Sequence, residues 1–205
     1  MANLIFDFDG TIADSFEYVL DYLAREIQGE DSRVRQHHGE YRGLSMRQMA
    51  TQLGAKPWHL PFLFFRGRKQ MGRALARIKT FEDLPEVLAQ LHNDGHRLFL
   101  VSVNLRQNIM PFLKAHGIEE YFDDVVGSAS VFGKAPTLRR LLVQHRLKPD
   151  DCWYIGDEAH DTVAAHKTGI KAASVTWGYN NLKRLKQADP EALIFSVGEI
   201  LKLPG

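Results

Sequence analysis

The sequence predicts a doubly wound α/β fold, a parallel sheet core with an inserted all-helical cap domain. Three observations carry that reading. Short runs rich in apolar and β-branched residues alternate with helical stretches, the pattern of a parallel sheet covered on both faces. Glycine stands where helices should stop before the next strand, in HNDGHR, KAHGIE and KTGIK. Between Ser15 and about Lys79 no strand pattern occurs at all, which sets that stretch apart.

The first strand is expected in NLIFDF (3–8). Three helices follow, in SFEYVLDYLAREIQ, GLSMRQMATQLG and FLFFRGRKQMGRALARI, punctuated by glycine and proline. The strand pattern returns in RLFLVSV (97–103), DDVVGS (123–128), CWYIGD (152–157), AASVTWG (172–178) and ALIF (192–195). Between these lie LPEVLAQLHNDG, QNIMPFLKAHG, APTLRRLLVQHR and DTVAAHKTG, each with helical spacing. The expected division is therefore residues 1–14 with 81–205 as the α/β core and 15–80 as a helical insertion.

Composition narrows the class. With 205 residues, 44% hydrophobic and 25% charged, the chain has the make-up of a globular protein that can bury a real core. No apolar run approaches the roughly 18 residues that cross a bilayer, and the N-terminus does not read as a secretory signal. Cys152 is the one cysteine, so no internal disulfide forms and a cytoplasmic location is expected. Net charge is only +1, yet Tyr41 to Phe81 holds nine Lys or Arg and no Asp or Glu. Set against 26 basic and 25 acidic residues in all, that leaves 17 against 25, or −8, on the rest of the chain.

In doubly wound sheets, ligands bind beyond the carboxyl ends of the strands. Asp7 and Asp9, then Gly10 and Thr11, follow strand one, and Ser102, Val103 and Asn104 close strand two. Lys134 follows strand three, and Asp157, Glu158 and Asp161 follow strand four in GDEAHD. Asp7 and Asp9, two apart, should point to one face of a strand, where two like charges call for a cation between them. Taken alone, Asp14, Asp157 and Asp161 read more readily as helix caps than as site residues. Lys134 is harder to explain that way, because a cation next to a helix start marked by Pro136 is unfavourable unless an anion joins it. The histidines lack zinc spacing, with His37 and His38 adjacent and His160 and His166 apart. PWHLPFLFF (57–65) is expected to pack between helices or against the core, a dimer surface being the other reading.

Together DFDGTIADS, Ser102, Lys134 and GDEAHD resemble, in order, the four motifs of the haloacid dehalogenase superfamily. The resemblance covers nearly the whole chain and is greatest to the phosphoglycolate phosphatase-like branch, whose helical cap is inserted after the first motif. Two places depart from the family pattern: Val103 stands between Ser102 and Asn104, and KTFEDLPEV replaces the usual Pro-Gly-containing link.

The resemblance implies an Mg²⁺-dependent phosphatase acting on a small phosphorylated metabolite. Asp7 is then the nucleophile that forms an aspartyl-phosphate, and Asp9 the general acid and base. The metal ligands are Asp7, the backbone carbonyl of Asp9, and Asp157, with Asp161 assisting. Thr11, Ser102, Val103, Asn104 and Lys134 surround the phosphoryl group, Lys134 as a point charge. Arg47 is the expected contact to the leaving group, and the basic segment is expected to steer anions inward. Alternatives are a phosphomutase of the β-phosphoglucomutase kind and a non-catalytic binding module that uses the basic segment. Dehalogenation fits less well, since Asp9 has little use when the leaving group is halide. No membrane partner is expected, nucleic acid is disfavoured, and the chain is expected to be a monomer or homodimer.

Overall fold

The computed structural model describes residues 1–29, 34, 38–127 and 133–203. Six strands, β1 (Asn3–Phe6), β2 (Arg97–Val101), β3 (Phe122–Val126), β4 (Cys152–Gly156), β5 (Lys171–Val175) and β6 (Ala192–Ile194), form one sheet in the order β3-β2-β1-β4-β5-β6. Every neighbouring pair is parallel, with Phe6 opposite Leu100 on one side and Ile155 on the other. Strand order reverses between β1 and β4, so the loops after these two strands open onto the crevice where such sheets take ligands.

Alternation along the strands sorts side chains to two faces. Leu4, Phe6, Leu98, Leu100 and Ile155 join one apolar cluster, and Ile5, Phe99, Val101 and Tyr154 the other. Helices α4 (Leu84–Asn93) and α5 (Arg106–Ala115) cover the first face with Leu88, Leu91, Ile109 and Phe112. Helices α6 (Ala135–His145) and α7 (Ala159–His166) cover the second with Leu138, Leu141 and Ala165. Each large apolar side chain fully buried this way contributes about 1.5 to 3 kcal/mol. A short helix α8 (Leu182–Gln187) follows β5.

The expected strands are present, and each ends one to three residues before its expected boundary. β1 stops at Phe6, although Phe8 is fully buried, because Phe8 packs edge-on to Phe112, 5.1 Å between ring centroids, under α5. Its carbonyl accepts the N–H groups of Thr11, Ile12 and Ala13, closing a tight turn with Gly10 at φ +78. β2 stops at Val101, β3 at Val126 and β5 at Val175, residue 128 itself lying outside the described residues.

Among the described residues, the stretch between β1 and α4 holds helices and no strand of the sheet, as expected: α1 (Phe16–Gln28), α2 (Met46–Gln52) and α3 (Leu60–Ala74). Ser45 starts α2 through a capping box with Gln48. The chain enters and leaves this segment side by side. Ala13 and Thr80 form an antiparallel bridge, and the Asp14 N–H donates to the Lys79 carbonyl at 2.9 Å. The segment also docks on the loop after β5, where the Gly43 N–H donates to the Tyr179 carbonyl at 2.7 Å and Arg42 Nη1 to the Gly178 carbonyl at 3.1 Å. Arg184 Nη1 donates to Gln48 Oε1 at 2.6 Å.

PWHLPFLFF packs inward less than expected. Leu63 is buried and Leu60 half-buried, while Trp58, Phe62 and Phe65 are 68%, 60% and 79% exposed. Helical spacing places Leu60 and Leu63 on the core side and turns Phe62 and Phe65 outward, where Arg66 lies 5.8 Å from the Phe62 ring centroid. Of the adjacent histidines, His38 pairs with Glu17 and Asp21 at 3.4 Å each, and His37 lies outside the described residues. Among the described residues no helix is long and apolar enough to cross a membrane.

Candidate active site

Asp7 is the first residue past β1 and Asp157 the first past β4, so the pairing of these two central strands sets the two carboxylates side by side. Asp161 sits in the first turn of α7, where its Oδ2 accepts the Glu158 N–H at 3.1 Å and completes a capping box. The cap reading and the site reading of Asp161 hold together, because its Oδ1 accepts a bond from Lys134 Nζ at 2.7 Å. One oxygen from each of Asp7, Asp157 and Asp161 falls within 4.8 Å of the others, and all three residues are buried.

Lys134 occupies the N-cap position of α6, 2% exposed, with Nζ 2.7 Å from Asp7 Oδ2 as well as from Asp161 Oδ1. The anion expected at this helix start is thus supplied by two carboxylates of the protein. Burial opposes the lysine charge, but Asp161 and Asp7 outweigh it and hold the ammonium well above the usual lysine range. Burial pushes the Asp7 carboxyl up to about 7 against the pull of Lys134. Asp157 is held well above the carboxylate range by burial and by the charges of Glu158, Asp7 and Asp161. For Asp161 burial acts in the same direction, yet Lys134, His160 and its hydrogen bonds keep it below.

β1 ends at Phe6, so the period-two alternation of a strand does not set the directions of Asp7 and Asp9, and the charge of Lys134 acts on both carboxyls. The Asp9 carboxylate accepts a bond from Ser15 Oγ at 2.9 Å on Oδ1 and from Asn104 Nδ2 at 3.0 Å on Oδ2. Burial raises its carboxyl, and these two bonds act the other way.

Of the remaining candidates, Ser102, Val103, Asn104 and Thr11 lie in the loops that follow β2 and β1. Ser102 is buried, and its Oγ accepts the Asn104 N–H at 3.0 Å. Val103 is half-buried between them. Thr11 Oγ1 donates to Asp157 Oδ1 at 3.2 Å, so in this structure it faces a carboxylate. Arg47 is exposed in the first turn of α2, and no described contact joins its guanidinium to the cluster.

Three participants were not anticipated: Tyr179, Ser15 and Gly178. The Tyr179 N–H donates to Asp157 Oδ2 at 2.6 Å, and its hydroxyl lies 3.1 Å from Ser15 Oγ. A Cβ at Gly178 would collide with the Asp157 side chain, so glycine is what lets the loop after β5 close on that carboxylate. The signal available in the sequence was position: this loop follows a parallel strand, and its end belongs to the same rim as the others.

The donor set fits a hard divalent cation. It is all oxygen and buried, and burial with the crowding of like charges makes ionising Asp7 and Asp157 costly, a cost that a divalent cation would relieve. A soft or borderline metal would call for Cys or His in the cluster, and the three residues that converge are all aspartates.

The chain is similar to known proteins along nearly its whole length. The family model described as haloacid dehalogenase-like hydrolase matches residues 4–175. Over 204 residues the chain is 31% identical to a phosphoglycolate phosphatase of Synechococcus elongatus, covering 98% of this chain and 96% of that protein. A phosphoglycolate phosphatase of Vibrio cholerae is 27% identical over 220 residues, 98% of this chain and 95% of its own. Among solved structures, a haloacid dehalogenase-like family protein from Streptococcus pneumoniae superposes with a TM-score of 0.82 at 20% identity, covering 98% of this chain and 97% of that one.

Proposed function

This chain belongs to the haloacid dehalogenase-like hydrolases, and on that premise we propose that it is an Mg²⁺-dependent phosphatase that hydrolyses a small phosphorylated metabolite through an aspartyl-phosphate on Asp7. The observation that carries the reading is the buried cluster at the β1/β4 switch point: Asp7, Asp157 and Asp161 together, with Lys134 paired to Asp7 and Asp161.

Mg²⁺ would be held by Asp7, the backbone carbonyl of Asp9, Asp157 and Asp161, and when bound it neutralises charge between an anionic nucleophile and an anionic phosphate. Lys134, anchored between Asp7 and Asp161, places a fixed positive charge beside the attacking oxygen and stabilises the charge that develops on the phosphoryl group. Asp7 attacks phosphorus through a carboxylate oxygen as the ester oxygen departs, and Asp9 gives that oxygen its proton. Water then attacks the acyl phosphate, Asp9 takes a proton from it, and phosphate leaves with the Asp7 carboxylate restored. Ser102 and the backbone around Val103 and Asn104 line the phosphoryl site, and Thr11 holds Asp157 in place.

Residues 1–14 and 81–205 form the catalytic core in this reading, and 15–80 the cap that selects the substrate. The two relatives are named phosphoglycolate phosphatases, which makes phosphoglycolate the first compound to try. The test is a panel of phosphorylated metabolites assayed with Mg²⁺ and with EDTA, together with acid-quench trapping of phosphoenzyme. Metal-dependent phosphate release, lost with its trapped intermediate in Asp7→Asn, is the expected result. Turnover by Asp7→Asn at the wild-type rate would overturn the nucleophile assignment. Transfer of the phosphoryl group to a sugar hydroxyl instead of water would identify a mutase.

A further inference from the structure

The Asp9 carboxylate is fixed from two sides by a hydrogen-bonded frame that runs on to Asp157. Ser15 is fully buried, and its one hydroxyl proton is committed to Asp9 Oδ1. The contact between Ser15 Oγ and the Tyr179 hydroxyl, 3.1 Å, must then be donated by the tyrosine, giving a directed chain from Tyr179 through Ser15 to Asp9. On the other side, Asn104 Oδ1 accepts the Leu105 N–H at 2.8 Å and Asn108 Nδ2 at 3.0 Å. Those two donors settle which end of the amide is oxygen, and the remaining end can only donate to Asp9 Oδ2. Asn108 in turn lies against Gly72 of α3, where a Cβ would approach its Oδ1 to 2.6 Å. The Tyr179 ring is held edge-on by Phe16, 5.3 Å between centroids, and its backbone N–H grips Asp157.

We propose that Ser15, Asn104, Asn108 and Tyr179 are positioning residues that fix the orientation of the Asp9 carboxylate, with Tyr179 tying that orientation to Asp157. The proposal rests on the reading of Asp9 as general acid. None of the four side chains needs to touch the phosphoryl group. They come from the start of α1, the start of α5 and the loop after β5, so the frame closes only when the helical segment and the sheet rim meet. Asn104, which sits two residues after Ser102, serves here as a support for Asp9.

A group that orients a general acid affects esters whose leaving oxygen needs a proton and spares those whose leaving group departs as a stable anion. The experiment therefore compares kcat/KM, which reports the first phosphoryl transfer, for phenyl phosphate and p-nitrophenyl phosphate, two esters of nearly one shape. Asp9→Asn is the control. Because general acid catalysis is worth about 10² to 10⁴ in rate, Ser15→Ala and Asn104→Ala should each lose about tenfold more on phenyl than on p-nitrophenyl phosphate. Tyr179→Phe acts one bond further away and should show about a threefold difference, and Ser15→Thr should restore the wild-type ratio.

Equal losses on both esters in Ser15→Ala, Asn104→Ala and Tyr179→Phe, beside a leaving-group-dependent loss in Asp9→Asn, would overturn the positioning frame alone. Equal losses in Asp9→Asn itself would overturn the general-acid reading. Tyr179→Phe keeps the ring and the N–H to Asp157, so it reports on the frame even if an alanine variant fails to fold.

Discussion

Replacing Asp7 with Asn should abolish turnover and, in metal-free buffer above neutrality, stabilise the fold. The Asp7 carboxyl is pushed up to about 7 by burial, against 3.8 for an unperturbed aspartate, so the folded protein holds a proton there that the unfolded chain releases. Stability contributed by a group raised in this way is fully present below about pH 4 and is lost as pH climbs through about 7. Each tenfold change in proton affinity is worth about 1.36 kcal/mol, so ionising Asp7 costs the wild-type fold on the order of 4 kcal/mol by pH 8. Water entry and relaxation of the site reduce this to roughly 2 kcal/mol. Asn does not titrate, so the variant escapes that loss. Urea unfolding in EDTA should show the two proteins close together near pH 4 and the variant ahead by about 2 kcal/mol at pH 8. Millimolar Mg²⁺ should close the gap by binding the folded wild type more tightly. A difference in stability that does not widen between pH 4 and pH 8 would refute the reasoning.

Lys134→Met should leave the acidic cluster without its ammonium and lower kcat by about 10² to 10³-fold, measured at saturating substrate. Gly10→Ala should destabilise by about 1 to 3 kcal/mol and weaken metal affinity, read by thermal melts with and without Mg²⁺, because the new Cβ meets Asp157 and Tyr179 at a positive φ. Phe112→Ala should cost about 3 to 5 kcal/mol in urea unfolding through loss of its packing on Phe8. Cys152, with its thiol pushed up to about 11 by burial, should react with a disulfide reagent only as the protein unfolds, and fast labelling of the native chain would contradict its burial on β4.

The parts of the site readable from sequence were those whose position follows from strand order. Asp7, Ser102, Lys134 and Asp157 each stand where a parallel strand ends or a helix begins, and topology then carries them to one rim. Alternation explains the two faces of the sheet, but it assigned Phe8 to a ladder it does not join. An apolar residue buried under a helix leaves the same trace in sequence as one buried in a strand. Tyr179 and Ser15 stayed invisible because their meaning lies in a contact between residues 164 apart. The outward face of Phe62 and Phe65 was hidden for a related reason: hydrophobicity predicts burial on average, and only helical phase against a real neighbour decides which side chain is covered.

The doorway through which the helical segment joins the sheet is a single pair of backbone strands, closed by the Ala13–Thr80 bridge and the Asp14-to-Lys79 hydrogen bond. Exit and re-entry lie one strand spacing apart, so the sheet places no demand on how long the excursion between them is.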